Sequence, residues 1–174
     1  MTDHETVFDT ILGRETWGDR PAVLGDEACS YGQLLAGAER LAGEISKSGA
    51  GPGTRVAIAV PPSRHYATAL LAVTRAGGVA VPMNPRATPD EKGYMLAHSG
   101  AKLLMTDQGS DQTRAFTDPT AEAVSDGLRL VSLEPPETAS PEKGDWAIVY
   151  TSGSTSRPKG VVLGKDAISS NVRA

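Results

Sequence analysis

The tightest constraint on this chain runs from Val56 to Met83, where two apolar runs enclose one helical segment. Val56 to Val60 reads as a strand buried on both faces, Pro61-Pro62 break it, and Ser63 opens a helix. Tyr66, Ala69, Leu70 and Val73 share one face of that helix, Gly77-Gly78 stop it, and Val79 to Met83 is the second strand. Strands joined by a crossover helix pair in parallel, and a parallel sheet needs cover on both faces. The alternation recurs on either side. Ser30 and Gln33 have capping-box spacing ahead of a helix with Leu34, Ala38, Leu41 and Ile45 at helical period. Thr88, Pro89 and Glu91 start another helix, which Gly100 ends near Ser99, and Lys102 to Thr106 follows as a strand. The expected class is α/β, a mostly parallel sheet flanked by helices, with ligands at the carboxyl ends of its strands.

The remaining stretches are less patterned. Val7, Phe8, Ile11 and Leu12 put one apolar stripe on a short opening helix that should end near Gly18. Pro21–Leu24 and Ala28–Ser30 flank Gly25-Asp26-Glu27 as a hairpin. The glycines of Gly49 to Gly53 precede a strand instead of following one, so they read as a connecting turn and not as a dinucleotide fingerprint. From Asp107 to Gly127 the pattern weakens to at most a short helix near Ala121, and Leu128 to Leu133 is again strand-like. Residues 134–143, with Pro135, Pro136 and Pro141, form a surface connection.

Composition excludes several functions. A length of 174 residues suits one domain, and a net charge of −4 without a Lys/Arg cluster argues against a nucleic-acid partner. Cys29 is alone, and His4, His65 and His98 are scattered without ligand spacing, so no metal site is expected from side chains. His65 borders an apolar helix face and reads as a packed or half-exposed side chain and not as a base. Met1 to Glu5 lacks the character of a signal peptide, and no apolar run reaches membrane-spanning length. The expectation is a cytoplasmic protein.

Chemistry concentrates between Trp146 and Leu163. Trp146, Ile148 and Tyr150 alternate with Ala147 and Val149, as in a short, largely buried strand. Then come Thr151, Ser152, Gly153, Ser154, Thr155, Ser156, Arg157, Pro158, Lys159 and Gly160, followed at once by the apolar run Val161 to Leu163. A loop pinned between two strands can aim successive backbone N–H groups at one point and so build an anion site. Hydroxyls add donors, Gly153 permits close approach, and Lys159 brings a full positive charge. Phosphate is the ligand class that uses all three. The P-loop pattern does not fit, because Pro158 precedes the lysine, Gly160 follows it, and no helix comes next.

The run from Tyr150 to Gly160 closely resembles the phosphate-binding signature of the adenylate-forming enzymes, the acyl-CoA synthetase and peptide-synthetase adenylation superfamily. Ser156 is the one departure, standing where that family usually has glycine. The segment around Tyr31 resembles the family's first core motif, and Arg75 to Arg86 resembles the second. Asn84-Pro85 and Thr88 to Glu91 look more like acyl- or aryl-CoA ligases than peptide-synthetase modules. The resemblance implies an N-terminal part of an AMP-binding domain across residues 1–174. It implies ATP, Mg²⁺ and a carboxylic acid as ligands, with coenzyme A or a carrier-protein thiol as acceptor. Thr151, Ser152, Ser154 and Thr155 would then hold the β- and γ-phosphates with Lys159, within a loop shaped by Gly153, Ser156 and Gly160. The family's adenine and ribose motifs and its catalytic lysine lie beyond this stretch, so no catalytic residue is assigned here. Ser156 is expected at negative φ.

Three readings follow from the family resemblance. The chain is the N-terminal part of an ATP-dependent acyl ligase, or a short non-catalytic module that binds a nucleotide or a partner, or one half of a split enzyme completed by a C-terminal chain.

Overall fold

Helix starts in this chain are settled within a few residues of sequence, and the capping box expected at Ser30 forms. The computed structural model describes residues 17–107, 123–125, 127–134, 144–151 and 157–173. A two-stranded antiparallel ribbon, β1 (Pro21–Val23) and β2 (Cys29–Ser30), leads into helix α1 (Tyr31–Lys47). The Gln33 N–H donates to Ser30 Oγ at 3.2 Å, and the Ser30 N–H donates to Gln33 Oε1 at 3.0 Å. The expected apolar positions of α1, from Leu34 to Ile45, are buried.

The chain continues through β3 (Arg55–Ala59), α2 (Arg64–Arg75), β4 (Val79–Pro82), α3 (Pro89–Ser99) and β5 (Leu103–Asp107). Ser63 caps α2, and Thr88 and Glu91 close the second capping box at the start of α3. Gly78 lies at the turn from α2 into β4, where a Cβ would sit 3.0 Å from the Thr54 carbonyl oxygen and 3.1 Å from Val73. Only glycine lets helix and strand approach that closely.

After β5 come β6 (Ala123–Ser125), β7 (Leu128–Ser132), β8 (Asp145–Thr151), β9 (Lys159–Gly164) and helix α4 (Lys165–Arg173). The main sheet has seven strands in the order β6-β7-β5-β3-β4-β8-β9. Its centre is parallel, with β3 between β5 and β4 and with β8 beside β4. Both edges are antiparallel: β7 returns along β5 and carries β6, and β9 returns along β8. The sheet is therefore mixed, with the expected parallel order at its centre.

β3 shows how both faces are covered. Val56 and Ile58 join a cluster with Leu41, Ile45 and Val73 of α1 and α2, whereas Ala57 and Ala59 join Met95 and Leu96 of α3. The helices thus lie on opposite faces, and the small alanines leave room on the α3 side.

Two expectations need correction. Trp146 leaves the alternation of β8: it packs with Val149 on the α1/α2 face, while Ile148 and Tyr150 face α3. The register slips between Asp145 and Ala147, and the Trp146 indole N–H donates to Thr74 Oγ1 at 3.0 Å. Ala123 to Ser125 forms a strand just after the position given to a short helix, although Ala121 itself lies outside the described residues. The opening helix and residues 135–143 of the proline-rich connection also lie outside the described residues. Among the described residues, no helix is long and apolar enough to cross a membrane.

Candidate functional site

Parallel pairing of β3, β4, β5 and β8 brings their carboxyl ends to one side of the sheet, and β8 ends there in Thr151. The chain returns as β9 with Thr151 opposite Lys159 and Tyr150 opposite Gly160. The hydroxyl-rich loop is therefore closed at its neck by a strand ladder. Thr151 and Lys159 are both exposed there, which places one hydroxyl and one ammonium side by side. Among the described residues no carboxylate pairs with Lys159. Ser152, Gly153, Ser154, Thr155 and Ser156 lie outside the described residues, so the φ expected for Ser156 does too.

Gly160 has a packing reason to be glycine. A Cβ at that position would stand 3.1 Å from Ile148 Cγ2 and 3.3 Å from the Tyr150 ring. Tyr150 covers the glycine across the ladder and presses its ring towards α3. Its hydroxyl donates to the Met95 carbonyl at 3.3 Å and stands 2.9 Å from Nδ1 of His98, its second hydrogen-bond partner.

A line of rings continues from there along α3. His98 meets Tyr150 edge-on at 5.8 Å between centroids, and Tyr94 lies 5.3 Å from His98. The Arg157 guanidinium sits 5.1 Å from the centre of the Tyr94 ring, within cation–π range. A groove of about 690 Å³ opens between α3 and the returning stem of the loop, bordered by Glu91, Tyr94, Arg157 and Pro158. Tyr94 and His98 carry no motif. The available sequence signal was only their spacing of one helical turn.

Burial pushes the Tyr150 phenol up to about 12, helped by the nearby Tyr94 and opposed by hydrogen bonding to Ser99 and by Arg55. A phenol whose folded value exceeds its unfolded value of 10.0 holds its proton longer in the native state. Its stabilising contribution is complete below pH 10 and is lost as the pH rises towards 12. Tyr150→Phe is therefore expected to flatten the loss of stability over that window by about 1–2 kcal/mol relative to the native chain. Urea unfolding at pH 9 and at pH 11.5 measures the difference, and equal slopes for the two proteins would contradict the burial of this hydroxyl.

α3 also holds a lysine that sequence reading passed over. Lys92 is 1% exposed, and its ammonium donates to the Pro85 carbonyl at 2.6 Å. Burial lowers its pKa. The bond fixes the turn between β4 and α3, beside the carboxyl end of β4.

At the far edge of the site, β9 is the last strand of the sheet, with Val161 and Val162 46% and 53% exposed. Its outer side has no strand partner among the described residues.

Comparison with known proteins agrees with this architecture. The AMP-binding enzyme family matches residues 13–174. Surfactin synthase subunit 2 of Bacillus subtilis (strain 168) is 35% identical over 96% of this chain, which spans 5% of that protein. Novobiocin biosynthesis protein H of Streptomyces niveus is 38% identical over 87% of this chain, which spans 28% of it. Among solved structures, the N-terminal domain of FACL13 from Mycobacterium tuberculosis superposes with a TM-score of 0.71 at 24% identity, covering 92% of this chain and 44% of that one. The Klebsiella oxytoca NpsA N-terminal subdomain, in complex with 3-hydroxyanthranilyl-AMSN, gives 0.65 at 26% identity, covering 91% and 39%. Peptide synthetases and acyl-CoA synthetases both occur among these matches, so they do not separate the two subgroups. Matched by the family model over nearly its whole length, the chain belongs to the AMP-binding enzyme family and represents an N-terminal portion of it.

Proposed function

We propose that this chain is the N-terminal part of an ATP-dependent acid–thiol ligase, and that its loop from Thr151 to Gly160 receives the β- and γ-phosphates of ATP. In that reaction a carboxylate attacks the α-phosphorus in line, the bond to the bridging oxygen of pyrophosphate breaks, and an acyl adenylate forms. A thiol, of coenzyme A or a carrier protein, then displaces AMP. The observation that carries the reading is the neck of the loop, where the exposed Thr151 and Lys159 face each other at the carboxyl end of a parallel strand. Lys159 supplies charge to phosphate oxygens, Thr151 a hydroxyl donor, and the hydroxyls and glycine of residues 152–156 the rest of the cradle. Mg²⁺ accompanying the nucleotide supplies further charge neutralisation.

This chain's contribution is binding and orientation of the leaving pyrophosphate. Recognition of the base and the catalytic lysine belong to family motifs outside residues 1–174. The exposed Val161 and Val162 on the last strand favour completion by further polypeptide, in the same chain or from a partner, over a self-sufficient small module.

The test is an amide NMR titration of the full chain with sodium pyrophosphate. Saturable shifts centred on Thr151, Lys159 and Gly160, with a Kd of about 1 mM, are expected. Shifts scattered over the surface, or none, would remove the phosphate assignment. The same protein should show no carboxylate-dependent exchange of labelled pyrophosphate into ATP, because parts of a catalytic unit act together and not additively. Robust exchange would show that the chain contains its own nucleotide and catalytic machinery.

A further inference from the structure

The candidate phosphate loop is gripped at both stems by one helix. Tyr150, directly before the loop, reaches α3 through the Met95 carbonyl at 3.3 Å and His98 Nδ1 at 2.9 Å. Arg157, on the returning stem, reaches α3 through the face of Tyr94 at 5.1 Å. Tyr94 and His98 are themselves in ring contact, one helical turn apart. The four side chains form an unbroken line: Arg157, Tyr94, His98, Tyr150. Gly160 lies at the inner end, where a Cβ would crowd the Tyr150 ring at 3.3 Å.

We propose that Tyr94 is a positioning residue for the returning stem of the phosphate loop, with His98 linking it to Tyr150 on the opposite stem, so that α3 restrains Arg157 beyond the last ladder pair, Thr151 and Lys159. The proposal rests on the phosphate reading of the loop and adds to it the element that restrains the loop's returning stem. Several features make the line a clamp instead of incidental packing. The strand ladder restrains the two stems only from below, through backbone hydrogen bonds at Thr151 and Lys159. Arg157 lies beyond that last pair on the returning stem. Its contact with Tyr94 is therefore a restraint that the sheet does not duplicate. α3 is a firm anchor, because Met95 and Leu96 bury its other side in the core and the Thr88–Glu91 box fixes its start. Tyr94 also borders the groove into which Pro158 projects, so its ring limits where the proline before Lys159 can move.

A cation–π contact survives exchange of tyrosine for phenylalanine and does not survive exchange for alanine. The experiment compares the full chain with Tyr94→Ala and Tyr94→Phe by backbone ¹⁵N relaxation without ligand and by titration with sodium pyrophosphate. In the free protein, Tyr94→Ala is expected to raise the fast mobility of the Arg157 and Lys159 amides while leaving the β3 and β4 amides unchanged. Tyr94→Phe should match the native chain. With pyrophosphate, Tyr94→Ala should weaken binding about two- to fivefold, as a single partly exposed cation–π contact allows, and Tyr94→Phe should restore it. Unchanged relaxation at Arg157 and Lys159 in Tyr94→Ala overturns the clamp, whatever the ligand does. A general rise in mobility through β3 and β4 also overturns it, because Tyr94 is then a packing residue of the fold. If the native chain fails to bind pyrophosphate, the phosphate reading falls, and the relaxation data alone decide whether α3 restrains the loop.

Discussion

Truncation of Ile58 to alanine is expected to lower the unfolding free energy by about 3–4 kcal/mol, a large part of what a domain of this size possesses. Ile58 is fully buried at the centre of β3, with Pro82 on one neighbouring strand and Met105 on the other. Its side chain faces the cluster shared with α1 and α2, where Leu41, Ile45 and Val73 are likewise sealed from solvent. Deleting its outer carbons removes transfer energy and leaves a cavity that a parallel sheet, hydrogen-bonded on both sides, cannot collapse to fill. At about 2–4 °C per kcal/mol for a chain of this length, the midpoint of a thermal melt should fall by about 10 °C. Val162→Ala provides the contrast. That side chain is 53% exposed on the last strand, and its loss should change stability by no more than about 0.5 kcal/mol. Equal effects at the two positions would mean that β3 is not the centre of the sheet.

Ile58 and Val162 also mark how far the sequence could be read. The burial of Ile58 was legible because Val56 to Val60 is an uninterrupted apolar run, and such runs belong in the middle of parallel sheets. Helix starts at Ser30, Ser63 and Thr88 were legible for a different reason: a cap is a contact between residues three apart, so its chemistry is written locally. Val161 to Leu163 is just as apolar as the central strands, and nothing local says that it lies at an edge with its valines half exposed. Strand order is a non-local property. The antiparallel return of β7 beside β5, which makes the sheet mixed, was hidden for the same reason.

Within the candidate site, the run of hydroxyls with Pro158, Lys159 and Gly160 pointed to the loop between β8 and β9. The partners of its stems were not legible. Tyr94 and His98 meet Arg157 and Tyr150 only because α3 packs on the far face of β8, and no spacing rule connects positions so distant in sequence. Trp146 misled for a physical cause too. A register slip costs little next to Asp145, where the strand begins, and it lets the indole N–H find Thr74 on α2. Burying a large aromatic with its donor satisfied outweighed strict alternation. Lys92 was overlooked because a lysine in a helix pattern reads as solvated, and a backbone carbonyl able to hold its ammonium is invisible before the chain folds.

Replacing Lys159 by alanine is expected to weaken pyrophosphate binding about ten- to thirtyfold. The side chain is exposed at the neck of the loop, and among the described residues no carboxylate competes for its ammonium. Its charge is therefore available to a ligand without first breaking an ion pair. A hydrogen bond between charged groups contributes about 1.5–3 kcal/mol, and the lower part of that range applies where water reaches the contact. That corresponds to the stated loss in affinity. Lys159→Arg should retain binding within about threefold, because charge is kept although the point-like ammonium is exchanged for a planar fork. Lys165→Ala, one strand length away at the start of α4, removes the same charge from the protein without removing it from the loop, and should change affinity by less than about twofold. Ser156→Gly, which restores the family's usual residue, should alter affinity by less than about tenfold if Ser156 takes the negative φ expected from the sequence, where a small side chain neither strains the loop nor blocks it. Isothermal titration at low and at moderate salt reads all four, and the part due to Lys159 should shrink as salt screens the ligand. A silent Lys159→Ala, or a loss no larger than that of Lys165→Ala, would leave only a nonspecific field around the loop and would end its assignment as the phosphate cradle.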